Sequence, residues 1–302
     1  MKTAFFSPFL LMLLILALTG QVSRADEVTL TQGDITLKAR LELADGKTLK
    51  DGVVLMTHGT LAHNGMEIIQ TLQDLLKENG LNTLAINLGL GISDRHGMYP
   101  CETLHTHKHT DALDEIGAWI GWLKGQGADS IVLLGHSRGG NQTAWFASER
   151  KEPVVKAAVL VAPQTWDETS AAKDYESRYG KPLVPLLEKA QAQVKAGKDD
   201  AILEHTDFIY CADTRVTAGS FAAYYTPDAR FDTPSLLPGI GMPVLVFSAT
   251  EDTAVTGLPE KLAQLENADH VEHVAIDGAD HYFRDLYAED LVDAMVDFID
   301  RL

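Results

Sequence analysis

Residues 131–149 read IVLLGHSRGGNQTAWFASE. The apolar run Ile131–Leu134 predicts a strand, and the stretch from Asn141 onward has a helical pattern. The turn between them is Gly135-His136-Ser137-Arg138-Gly139-Gly140. A serine on so sharp a turn must take a strained backbone, and glycines two residues to either side relieve the crowding. The turn presents Ser137 at the carboxyl end of its strand. The following helix aims its positive N-terminus at the place where negative charge would develop. G-x-S-x-G alone is a weak pattern, and a bystander serine in a Gly-rich turn is the bland alternative. Set between a strand and a helix, the pattern becomes specific.

Outward from this turn, short apolar runs alternate with helical patterns. Val28–Gln32 and Ile35–Leu43 read as an antiparallel pair joined at Gly33-Asp34. Further strands are expected at 53–57 (VVLMT), 83–88 (TLAINL), 157–162 (AAVLVA), 244–247 (VLVF) and 271–276 (VEHVAI). Most are continuous rather than alternating, as in strands covered on both faces. Ile68, Leu72, Leu75 and Leu76 share a helical face that Gly80 ends. Leu113, Ile116, Ile120 and Leu123 form a second face, and Leu291, Met295, Phe298 and Leu302 a third. This alternation predicts an α/β chain with a doubly wound, mostly parallel eight-stranded sheet. Between Pro163 and Pro243 no run reads as a sheet strand. A helical stretch (Leu183, Leu187, Ala190, Val194) and a polar, aromatic stretch over 205–228 predict a cap or lid inserted at about 165–240.

With the turn and the strand order in place, the chain resembles the α/β-hydrolase superfamily, its esterase/lipase and serine aminopeptidase-like groups in particular, over nearly all of 26–302. The resemblance implies a triad in the order serine, acid, histidine. After VLVF comes Ser248-Ala-Thr-Glu-Asp252-Thr-Ala-Val255, and Asp252 matches the family's acid, with Glu251 as its competitor. After the last strand comes Asp277-Gly-Ala-Asp-His281-Tyr-Phe283, and His281 matches the catalytic histidine. The implied oxyanion hole takes the backbone N–H of Arg138 and, from the His58-Gly59-Thr60-Leu61 loop, that of Thr60, with Leu61 as the alternative. His58 is assigned no chemistry. The Arg138 side chain is read as solvated, with an anionic substrate group or a salt bridge in the cap as other roles.

Residues 104–111 read LHTHKHTD. Histidine is the commonest protein ligand for transition metals. Metallohydrolases of the β-lactamase type bind through H-x-H-x-D-H, and neither register of these histidines fits it. No metal and no cofactor is expected. Leu113 lies four residues after His109, which places His109 on the apolar side of the coming helix and turns His107 to solvent. His105 and His109 are expected at the rim of the hydrolase pocket, on the carboxyl edge of the sheet. A solvated helix N-terminus is the other reading.

The first 25 residues stand apart. Lys2 precedes the apolar run Phe9–Leu18, and Ser23-Arg24-Ala25 supplies small residues for a cut after Ala25. A cleaved signal peptide is expected, hence an exported protein, periplasmic or secreted, without a stable membrane anchor. Loss of Lys2 and Arg24 takes the net charge from −18 to −20. Such a surface repels nucleic acid, so no nucleic-acid partner is expected. Export permits oxidation, and the two cysteines, Cys101 and Cys211, are expected to form a disulfide. At 45% hydrophobic and 23% charged, the composition is that of an ordinary globular chain. The functional expectation is a serine hydrolase acting on a carboxylic ester of a small acyl substrate. A peptidase or amidase of the same fold and a binding protein on a hydrolase scaffold are the alternatives.

Overall fold

A computed structural model describes residues 26–302. The expected signal peptide at 1–25 lies outside the described residues. In chain order the elements are β1 (Asp26–Gln32), β2 (Ile35–Glu42), β3 (Val53–Thr57), α1 (Glu67–Glu78), β4 (Thr83–Asn87), α2 (Asp111–Gly125), β5 (Ile131–His136), α3 (Arg138–Glu149) and β6 (Val155–Val161). There follow α4 (Glu168–Tyr179), α5 (Leu183–Lys195), β7 (Ile202–Phe208), β8 (Cys211–Thr217), α6 (Ala218–Tyr225) and α7 (Thr233–Leu236). The chain closes with β9 (Val244–Ala249), α8 (Leu258–Leu262), β10 (Val271–Ile276) and α9 (Leu286–Ile299).

Eight strands form one sheet in the order β1-β2-β4-β3-β5-β6-β9-β10. The β1–β2 hairpin joins β4 antiparallel, and every pairing beyond β4 is parallel. The central strands β3, β4 and β5 are buried along their whole length, which is why their sequences are continuous apolar runs. Alternate residues sort to opposite faces. Leu55, Leu84, Ile86 and Leu133 pack in one core with Leu113, Ile116 and Trp119 of α2 and Ala144 and Phe146 of α3. Val54, Met56, Ala85 and Leu134 pack in the other with Ile69 and Leu72 of α1 and Leu291 and Met295 of α9. All eight expected strands are present. Helix α9 is shorter than its pattern, because it ends at Ile299 and leaves Leu302 exposed. No helix among the described residues is long and apolar enough to cross a membrane.

The segment between β6 and β9 holds more than helices. Strands β7 and β8 pair antiparallel in a second, two-stranded sheet, where the sequence read no strand. Register shifts interrupt the pairing, and His205 and Asp213 sit at φ +48° and +49°. Such irregularities erase the period-2 pattern by which a strand is read. The tip, Ile209-Tyr210, lacks the Asn or Gly that marks a tight turn, although Ile209 takes φ +45°. The hairpin is fastened to the body at two points. His105 bridges to Val216, with its N–H donating to Arg215 O at 2.9 Å and its O accepting from Thr217 N at 3.0 Å. Cys101 is disulfide-bonded to Cys211 across 110 residues, with Cα atoms 5.3 Å apart.

Candidate active site

Strand β5 delivers Ser137 at φ 58°, ψ −123°, a conformation that costs a non-glycine residue free energy and that the surrounding packing enforces. Ser137 N–H donates to Val161 O at 2.9 Å, and Gln164 N–H donates to Ser137 O at 3.0 Å, so β6 and the chain after it grip the turn from both sides. The two flanking glycines have specific reasons. A Cβ on Gly139 would fall 2.6 Å from Thr57 O and closer still to His58 O, and one on Gly135 would strike Gly139 O. Gly59 is less closely confined, since its Cβ would lie 3.2 Å from Ser137 Cβ.

The loops after β9 and β10 meet at this turn. His281 Nε2 lies 3.0 Å from Ser137 Oγ, and His281 Nδ1 lies 2.8 Å from Asp252 Oδ2. With Nδ1–H given to a carboxylate, Nε2 is left as the acceptor for the Ser137 hydroxyl. Asp252 Oδ1 accepts from Ala254 N–H at 2.7 Å and Val255 N–H at 2.9 Å. Burial of its side chain pushes the Asp252 carboxyl up, but the bonds from His281, Val255 and Ala254 outweigh it and hold the group below its ordinary value. Glu251 is exposed, and its backbone N–H bonds to Ala279 O.

Beside Ser137 the Thr60, Leu61 and Arg138 N–H groups have no acceptor among the described residues. All three residues line a cavity of about 350 Å³, with Met66, Ile68, Met98, Tyr99, Tyr210, Val255 and Tyr282 supplying its apolar wall. The loop that carries Thr60 is set by residues whose role the sequence did not reveal. His58 Nε2 accepts from Leu88 N–H at 3.1 Å, which puts the ring proton on Nδ1 for donation to Gly59 O at 2.9 Å. Burial brings His58 down to about 3, so it stays neutral. Arg95 is buried and donates to Leu88 O, Gly97 O, Ala62 O and Asn87 Oδ1 at 2.6–2.9 Å, tying the loop after β3 to the loop after β4. An arginine in a polar stretch reads as solvated, so no sequence signal marks it. His136 stands within the motif itself, and its Nε2–H donates to His281 O at 2.9 Å. Its burial, with His281 nearby, brings it down to about 3.

The 105–109 histidines require correction. His105 and His109 are 0% exposed and neither lines the cavity, so they are no rim. His107, expected in solvent, is 1% exposed, and its Nδ1 lies 2.8 Å from Tyr224 Oη. The physical reason is that the helix starts only at Asp111 and the segment before it is extended against β8, where Phe208 and Tyr224 cover it. Among the described residues no group of three or more His, Cys, Asp or Glu is arranged to hold a metal ion. Glu115 of α2 is also buried. It accepts from Gly89 N–H at 2.8 Å, and burial pushes its carboxyl up to about 8 against that bond.

A model of the alpha/beta hydrolase family matches residues 53–294. No curated protein matches the chain. Among solved structures it is similar to Est1E from Butyrivibrio proteoclasticus, with 19% identity, TM-score 0.62, and 91% of this chain and 98% of that one covered. It is similar also to an alpha-beta serine hydrolase homologue from Coxiella burnetii (18% identity, TM-score 0.57, coverage 91% and 97%). A third is the esterase domain of a Rhodothermus marinus protein (18% identity, TM-score 0.58, coverage 92% and 98%). These identities speak for the fold alone. With the strand order, the turn at Ser137 and the match over 53–294 taken together, the chain belongs to the alpha/beta hydrolase family.

Proposed function

We propose that the protein is a serine hydrolase that cleaves a carboxylic ester through Ser137, His281 and Asp252. The observation that carries this reading is the hydrogen-bonded chain from Ser137 Oγ to His281 at 3.0 Å and from His281 to Asp252 at 2.8 Å, beside an open cavity. Ser137 Oγ attacks the acyl carbon while His281 Nε2 takes its proton, and Asp252 stabilises the imidazolium. The carbonyl oxygen gains the electron pair and is held by the N–H groups of Arg138 and Thr60. Collapse returns that pair, breaks the bond to the alcohol oxygen, and passes the His281 proton to the leaving alcohol. An acyl group remains on Ser137. Water, deprotonated by His281, then repeats the sequence and releases the acid.

The segment at about 165–240 is the cap of this site. Its contribution of Tyr210 to the cavity wall supports that reading. Export by a leader at 1–25 is supported by the Cys101–Cys211 bond, which an oxidising compartment maintains. The test is labelling with a fluorophosphonate probe beside a Ser137→Ala control, followed by a panel of neutral esters and aminoacyl amides. Labelling and ester turnover that vanish in Ser137→Ala are the expected result. Wild type that neither labels nor turns over any acyl substrate overturns the proposal. N-terminal sequencing of exported protein tests the leader, with Asp26 expected first.

A further inference from the structure

The cleft has two lobes. The one that holds Ser137 adjoins a second of about 190 Å³, walled by Trp166, Tyr175, Tyr179, Tyr225 and Phe231 of the inserted segment. Arg138, Gln164 and Tyr210 line both lobes. Asp174 and Arg178 line the second lobe alone, and among the described residues that line both lobes the one charged at neutral pH is Arg138, next to the nucleophile in sequence.

Its guanidinium is neither solvated and loose nor neutralised by the cap. Nε donates to Thr60 Oγ1 at 2.9 Å, and Nη1 lies 3.3 Å from His109 Nδ1. The guanidinium carbon stands 5.3 Å from the centre of the Tyr224 ring. The tautomer of His109 is set from its far side. Asn141 spends its amide nitrogen on Arg230 O and Thr233 Oγ1, which leaves Asn141 Oδ1 to accept from His109 Nε2–H at 2.9 Å. His109 Nδ1 is then a bare acceptor, and its burial keeps the ring neutral. Both side-chain partners of the guanidinium are thus uncharged.

Among the described residues no carboxylate oxygen lies within 4.0 Å of Arg138. Arg40, Arg150, Arg215, Arg230, Arg284 and Arg301 each take a carboxylate partner, in a protein whose net charge is −18. Arg95 and Arg178 share with Arg138 the lack of one, but Arg95 is turned onto backbone carbonyls and Arg178 lies over the Tyr210 ring, away from the nucleophile's own lobe. A guanidinium carries five N–H donors, and these two bonds use two of them. The rest, including both on Nη2, have no acceptor among the described residues. The planar fork suits the two oxygens of a carboxylate, and clamping it before binding spares the ordering cost at the moment of binding.

We infer that the Arg138 side chain is the binding site for a free carboxylate on the substrate, so that the preferred substrates are carboxylate-bearing esters. The inference rests on the serine-hydrolase reading and names its substrate class. One residue then serves two ends of the substrate. Its backbone N–H meets the scissile carbonyl, and its side chain meets the carboxylate where the two lobes join. The carboxylate sits on either the acyl or the alcohol portion, and the two arms of the test separate these.

The first arm compares mono-4-nitrophenyl adipate with its methyl ester, and the second compares 4-(butyryloxy)benzoate with its methyl ester. The readout is the ratio of kcat/KM, carboxylate over methyl ester, within one enzyme, so a general loss of activity in a variant cancels. Wild type is expected to favour the carboxylate about 10- to 100-fold in one arm, the worth of a charged hydrogen-bonded pair. Arg138→Gln brings the ratio to near one, and Arg138→Lys, which keeps charge but loses the fork, falls between. Calorimetry on Ser137→Ala supplies a readout without turnover. It should bind 4-(butyryloxy)benzoate or mono-4-nitrophenyl adipate more tightly than the methyl ester, and the Ser137→Ala/Arg138→Gln double variant should lose that difference. Turnover of neutral and anionic members at equal rates in both arms overturns the inference and leaves the hydrolase standing. Carboxylate binding that depends on Arg138, in a protein that turns over no ester, overturns the hydrolase and leaves the anion site standing. A preference that survives in Arg138→Gln assigns the carboxylate elsewhere and overturns the inference.

Discussion

Replacing Glu115 by glutamine should make the protein less sensitive to alkali. Glu115 is 4% exposed, and burial raises its carboxyl from 4.5 to about 8. A group whose folded value is raised contributes stability that is fully present below its unfolded value and is lost as pH rises through the folded one. Each pH unit in that window costs ~1.4 kcal/mol, so from about pH 6 to pH 9 the wild type should lose ~3 kcal/mol on this account. In the Glu115→Gln variant the side chain has no proton to lose, while its amide oxygen retains the bond from Gly89 N–H. The assay is urea unfolding followed by tryptophan fluorescence, wild type against Glu115→Gln, at both pH values. The difference at pH 6, where the folded side chains are both neutral, combines the packing cost of the substitution with the ionisation of Glu115 in the unfolded chain. The change in that difference between pH 6 and pH 9 isolates the ionisation. A difference equal at the two pH values would refute a buried, protonated Glu115.

Acid should act in the opposite sense through the histidines. Burial lowers His58, His107 and His136 to about 3 and His105 to about 4, so the stability they lend is fully present above about 6.5 and is lost as pH falls below it. His109, held well below its ordinary value by burial, adds to them and Glu115 opposes them over the same range, which leaves a net loss of ~5 kcal/mol per pH unit between about pH 6.5 and 5. Urea midpoints that stay flat across this range would sink the account, and His107→Gln should flatten the slope by one histidine's share. Asp252→Asn should lower kcat on the order of 10⁴-fold while Glu251→Gln stays near wild type, and the reverse result would move the triad acid to Glu251. Gly139→Ala should lose fluorophosphonate labelling and melt earlier, by ~1–3 kcal/mol of stability, because its Cβ has no room beside Thr57 O and His58 O. Normal labelling and melting in that variant would show that the turn relaxes.

What could be read before the structure, and what could not, divides along a physical line. The runs VVLMT and IVLL announce strands because both faces of β3 and β5 are covered, and coverage demands apolar side chains at every position. The turn at Ser137 is legible because its backbone excludes Cβ atoms at Gly135 and Gly139, and that exclusion is written as glycine. The burial of His107 left no such mark. It depends on Phe208 and Tyr224, about a hundred residues further along the chain, and a helical wheel of the local segment pointed the ring outward. The β7–β8 hairpin hid behind register shifts and an Ile-Tyr turn. Arg95 hid because its bonds go mostly to backbone carbonyls of loops, which have no side-chain signature.

The bond between Cys101 and Cys211 makes residues 101–211 a closed covalent circle. Ser137 lies inside that circle, while Asp252 and His281 lie on the tail beyond it. A proteolytic nick anywhere within the circle therefore opens a ring rather than severing the molecule. The two new ends remain joined through sulfur, with Tyr99 and Tyr210 still tethered at the mouth of the cleft. The nucleophile and its two partners would stay in one molecule after such a cut, until a reductant released the fragment that carries the tail.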